Sequence, residues 1–107
     1  MPCQSLGLDD ILDTDECQTA AISMDLVDSH YNLPVTKQSE LDRPYGCHVQ
    51  IHGYHLIDVN TNENSSATAT KSNIVICRKP MGKLERTKAK YFNFRFIFGC
   101  SPIEFRT

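Results

Sequence analysis

Phenylalanine recurs at every second position of YFNFRFIF, at Phe92, Phe94, Phe96 and Phe98. Side chains along a strand alternate between two faces. One face of such a strand therefore carries four rings, and the other carries Tyr91, Asn93, Arg95 and Ile97. The chain has 107 residues, no tryptophan and five phenylalanines in all. Without these rings it has little from which to build a core. Each square ångström of apolar area they bury is worth roughly 25 cal/mol, and four exposed rings on an edge would invite aggregation. The other use of such rings is stacking on nucleobases, as in the RNA-recognition signature K/R-G-F/Y-G/A-F-V-x-F/Y. Lys90, Phe92 and Phe94 match that signature, but Tyr91 and Asn93 replace its two small positions. Arg95 takes the valine position, which would be buried, and burying an unpaired charge is costly. The rings are therefore read as core.

Period-two patterning extends upstream. Tyr45, Cys47, Val49, Ile51, Ile57 and Val59 alternate with His48, Gln50, His52 and Asp58. This predicts strand with one buried face, interrupted at Gly53 by a bulge, bend or turn. NIVICRK predicts a short central strand ended by PMG, and IEFRT a last strand with Ile103 and Phe105 on one face. The polar run 60–73 predicts a loop, and NLPVTKQSELDRPYG a connection punctuated by Pro34, Pro44 and Gly46. Leu8, Ile11 and Leu12 fit one side of a short helical turn, with Ser5 as its cap. The expected fold is mainly β with a short helical or irregular N-terminal segment, the strands forming a small antiparallel β-sandwich or barrel. HVQIHGY and TKAKYFNFRF resemble strands of the Rel-type immunoglobulin-like domain of nuclear factors of activated T cells, a resemblance confined to these two stretches. It implies a β-sandwich.

Charge divides the chain. Residues 1–42 hold nine acidic residues and one base, Lys37, whereas residues 43–107 hold ten bases and four acids. The net charge of −2 conceals this split. The division predicts an acidic N-terminal segment over 1–42, partly helical or flexible, and a basic antiparallel β domain over 43–107, two parts that attract each other.

Five cysteines stand at Cys3, Cys17, Cys47, Cys77 and Cys100, an odd number without a CxxC pair. The sequence begins with acidic residues rather than a basic and then apolar leader. Together these predict free cysteines and an intracellular protein, cytoplasmic or nuclear. Asn64-Ser65-Ser66 matches a glycosylation acceptor, which such a compartment would render a chance match. No apolar run approaches the roughly 20 residues of a membrane span, so no membrane partner is expected.

Function follows from charge more than from motif. Catalytic residues are expected to be none: the chain lacks a phosphate-cradling glycine loop, a nucleophile elbow and HExxH. Cofactors and metals are likewise expected to be none. Cys47, His48, His52 and His55 are close in sequence, but Cys47 and His48 face opposite sides of a strand, so these histidines are read as surface or partly buried polar groups. From Arg78 to Arg95 seven bases stand against one acid, Glu85. Arg78, Lys79, Lys83, Arg86, Lys88, Lys90, Tyr91 and Arg95 form the expected polyanion-binding face, for nucleic acid or an acidic protein surface, with non-specific dissociation constants of about 10⁻⁴ to 10⁻⁶ M. The expectation is a small non-enzymatic binding or regulatory protein. The rival is a protein-protein interaction module working through Leu8, Ile11 and Leu12 in a partner's groove. A further alternative is an accessory protein that forms a homo-oligomer through an edge strand.

Overall fold

The structure, a computed structural model, describes residues 2–51, 55–80 and 90–95. The expected strand 103–106, the rings of Phe96 and Phe98, and His52, Lys83, Arg86 and Lys88 lie outside the described residues. The elements run α1 (Pro2–Ser5), β1 (Asp9–Asp10), α2 (Thr14–Ser23), β2 (Thr36–Gln38), β3 (Gly46–Ile51), β4 (His55–Asn60), β5 (Asn73–Arg78) and β6 (Tyr91–Phe94).

The six strands form one open mixed sheet in the order β1-β5-β3-β4-β2, with β6 also paired to β5. β3 and β4 form an antiparallel hairpin that sets Val49 opposite Ile57 and Cys47 opposite Val59. β5 pairs antiparallel with both β3 and β6. β2 joins the edge of β4 in parallel, with Thr36 opposite Asp58. The expected antiparallel sandwich or barrel is corrected here: the described strands neither close nor stack as two sheets. The residues before Tyr45 supply what a second sheet would have supplied. They furnish two strands at the margins of the sheet and a helix for each face.

α2 covers one face. Cys17, Ala20, Ala21 and Met24 follow helical spacing and pack on Cys47, Val49, Ile57, Val59, Ile74 and Ile76. Asp13 caps the helix by accepting from the Asp15 backbone N–H at 2.8 Å, and Asp15 and Glu16 sit in the positive first turn. The buried helical residues are mostly small, so the sequence shows only a weak apolar stripe here.

The opposite face carries a second cluster of Val75, Cys77, Phe92 and Phe94, closed over by Cys3, Ala69, Leu6 and Leu8. Phe92 and Phe94 are 7% and 2% exposed, so both rings are core. Asn93, expected on an outward face, is 2% exposed instead. Its amide donates toward the sulfur of Met24 at 3.5 Å, because α2 covers that face as well. Central strands covered on both sides read as continuous apolar runs, as NIVIC does.

Two disulfides tie these layers together. Cys3–Cys77 joins α1 to β5, and Cys17–Cys47 joins α2 to β3. The expectation of free cysteines is corrected for these four residues; Cys100 lies outside the described residues. Partners 74 and 30 residues apart have no local spacing that sequence could reveal. They meet only because α1 and α2 land on opposite faces of the sheet. The thiol count therefore no longer points to the cytoplasm or nucleus.

The helical turn expected through Leu8 and Leu12 is also replaced. α1 ends at Ser5 and is followed by Gly7, whose φ is 75°; the Gly7 N–H bonds to the Gln4 carbonyl and the Leu8 N–H to the Cys3 carbonyl. The chain then extends, and Asp9 and Asp10 pair with Arg78 and Cys77. Here β1 takes over the stretch of β5 beyond the Asn73–Val75 segment paired with β3. Gly46 lies beside the inserted strand, and its φ of 85° favours glycine; a Cβ there would stand in ordinary contact with Asp10 and the Ile11 carbonyl.

Candidate functional site

Cross-strand register decides which polar side chains share a surface. Thr36, Gln38, Gln50, Leu56 and Asp58 fall on the face opposite α2, at the β2 end of the sheet. Here they line an open groove of about 400 Å³ together with Leu33, Pro34, Ile57 and Arg43. That volume falls at the small end of ligand pockets, about 300–1,000 Å³.

Asp58 forms the floor and is 6% exposed. Thr36 Oγ1 donates to its Oδ1 at 2.6 Å. Gln50, the diagonal neighbour on β3, donates its amide to Oδ2. Arg43 brings one guanidinium nitrogen to 3.8 Å from the same oxygen and donates to Gln38 Oε1 at 3.1 Å. Asn60 holds the segment that carries Arg43, its amide donating to the carbonyls of Glu40 at 2.8 Å and Arg43 at 2.7 Å. The charges of Arg43 and Asp58 offset each other. What remains available is a mixture of donors and acceptors on flat amide, carboxylate and guanidinium groups, beside the apolar walls of Leu33, Pro34 and Leu56.

His48 lies opposite Asp58 in the β3–β4 register and is wholly buried, not a surface or partly buried group. Its Nδ1 donates to the Gly46 carbonyl at 3.1 Å, which places the proton on Nδ1. Nε2 meets no partner among the described residues. Burial pulls the imidazole pKa down, against weaker opposing pulls from the Gly46 carbonyl and Asp58. His55 sits on the other face, with Nδ1 2.5 Å from the Leu26 carbonyl, so His48 and His55 are not brought together.

The expected basic face is partly occupied by the acidic half of the chain. Arg78 donates to Glu16 Oε1 at 2.6 Å and lies 3.8 Å from Asp9 Oδ2. The Glu16 hydrogen bond holds the guanidinium pKa above its ordinary value. Tyr91 donates its hydroxyl to Glu16 Oε2 at 3.2 Å, and burial followed by that carboxylate raises the phenol pKa. Lys90 is exposed and places its ammonium 5.4 Å from the centre of the Tyr91 ring. Lys79 and Arg95 are half-buried. Of the N-terminal apolar set, Ile11 is in the main core, Leu8 packs on the second cluster and Leu12 is exposed.

The groove was not legible as a site. Gln50 and Asp58 occupy polar alternate positions that a half-buried strand would turn to water. Thr36, Gln38 and Arg43 fall in a stretch that reads as a connection. No family model, curated protein or solved structure matches the chain.

Proposed function

We propose that this protein is a small, disulfide-cross-linked, non-enzymatic binding module of an oxidising compartment, and that its groove takes a small uncharged polar ligand such as a single sugar unit. The observation that carries this reading is Asp58 at the floor, ordered by Thr36, Gln50 and Arg43 while the groove above it stays open. A neutral ion pair suits a neutral ligand. Flat polar groups oriented by one another match hydroxyls that both donate and accept, and the apolar walls suit the C–H face of a ring. Two disulfides support the compartment, because such bonds persist where the surroundings are oxidising. Backbone-amide NMR titrations with methyl glucoside, methyl galactoside and N-acetylglucosamine test it. The expected shifts cluster at Thr36, Gln38, Gln50 and Asp58. Shifts at the groove with charged sugars alone, or with none of these probes, would sink the reading.

A second reading keeps the basic stretch as a polyanion site. The Lys79 backbone N–H bonds to the Lys90 carbonyl at 2.8 Å, so both ends of the stretch between them are fixed at one place on the β5–β6 pair. Titration with single-stranded and duplex nucleic acid at two salt concentrations tests this. A polyanion site loses affinity steeply as salt rises, and no binding at low salt removes it.

A further inference from the structure

Asn64-Ser65-Ser66 is the one Asn-x-Ser/Thr sequence in the chain. In a reducing compartment it would be a chance match. The disulfides Cys3–Cys77 and Cys17–Cys47 remove that objection, since the compartments that form such bonds in eukaryotic cells also transfer glycans to asparagine.

The fold presents this tripeptide as an acceptor would need it. Asn64 sits in a turn closed by the Ser65 N–H on the Asn62 carbonyl at 3.1 Å, and its own N–H bonds to Asn62 Oδ1 at 2.9 Å. Ser65 points inward, its hydroxyl donating to the Arg43 and Leu41 carbonyls. Asn64 and Ser66 on either side of it are both exposed. The Asn64 carboxamide makes no hydrogen bond among the described residues, in contrast to Asn60 and Asn93, whose amides are buried and engaged. A glycan on Asn60 or Asn93 would displace core. One on the exposed Asn64 would project into solvent.

We infer that Asn64 is an N-glycosylation site. The nitrogen Nδ2 forms a bond to the anomeric carbon of an oligosaccharide carried on a lipid diphosphate. The bond from that carbon to the phosphate oxygen breaks, the lipid diphosphate departs, and the amide loses one proton. A cellular transferase catalyses the step; this chain supplies only the acceptor. The inference rests on the oxidising compartment proposed above, and not on the ligand of the groove.

The test is to direct the full chain into the secretory pathway of a eukaryotic cell and map its peptides by mass. Both the medium and the lumenal fraction are sampled, so retained protein is read as well as secreted protein. The expected result is a glycan on the Asn64 peptide that a peptide N-glycosidase removes, leaving aspartate. Asn64→Gln and Ser66→Ala should each abolish it while both disulfides still map, and Ser66→Thr should retain it. Disulfide-bonded protein with unmodified Asn64 in both fractions overturns the inference, as does a glycan that survives Asn64→Gln.

Discussion

Replacing Cys3 and Cys77 together by alanine should cost more stability than replacing Cys17 and Cys47 together. The Cys3–Cys77 bond spans 74 residues and encloses the Cys17–Cys47 bond, which spans 30. Closing loops of these lengths, each taken alone, removes unfolded-state entropy worth about 4 kcal/mol. The two are not independent. With the outer bond intact, residues 17 and 47 are already tethered by a second route through it, which trims the inner bond to about 3 kcal/mol. With the inner bond intact the outer loop is only shortened, and its contribution stays near about 4 kcal/mol. Against a total stability of roughly 5–15 kcal/mol, either loss is large. Urea unfolding reads both quantities. The midpoint should fall in both variants, further for Cys3/Cys77. The slope with denaturant should rise in each, because an uncrosslinked chain exposes more surface. Thiol titration of the wild-type protein in denaturant without reductant should leave the four bonded cysteines unreactive. Reaction of all five, or variants with wild-type midpoints, would refute the cross-linked fold.

Phe94→Ala should cost roughly 3–5 kcal/mol, because the ring is buried between Val75, Cys77 and the α1 segment; a wild-type unfolding midpoint would show that the ring is not core. His48 is held neutral by burial with its pKa lowered, so the unfolded chain binds more protons below the ordinary imidazole value of about 6.5. Stability should therefore fall as pH drops below that value and recover above it, and His48→Gln should flatten the slope between pH of about 5 and 7, as read by urea midpoints. Glu16→Gln removes the carboxylate that occupies Arg78 and Tyr91. It should destabilise the fold by roughly 1–3 kcal/mol and, if the basic stretch binds polyanions, raise affinity for them in a low-salt titration.

The strands were legible where a side chain's face determined its chemistry. Cys47, Val49, Ile57 and Val59 alternate because one face meets α2, and Phe92 and Phe94 alternate because the other meets α1. The same rule misassigned the polar partners of those strands. Alternation puts Gln50, Asp58 and Asn93 on the face away from the core and leaves His48 a surface or partly buried group, whereas all four are buried. Alternation reports a difference in polarity between faces, and a buried polar face leaves the same trace in the sequence as a wet one. β1 and β2 were invisible for another reason. Strands of two and three residues that sit at the margins of a sheet carry no period long enough to detect.

The charge split has a structural reading that composition alone does not supply. Nine acids before residue 43 and ten bases from residue 43 onward suggest two parts held together by long-range attraction. Across the two parts, Asp9 and Glu16 both meet Arg78, whereas Arg43 pairs with Asp58 inside residues 43–107. The remaining acids of α2's first turn serve the helix terminus, where Asp13 and Asp15 satisfy backbone donors and the dipole. Attraction between halves is therefore not what positions the N-terminal residues. Two covalent bonds and the burial of Ile11, Ala20, Ala21 and Met24 do that. Once they are positioned, Glu16 engages Arg78. A polyanion approaching this end of the sheet would have to displace that carboxylate from Arg78, where it is held by the guanidinium and by the Tyr91 hydroxyl.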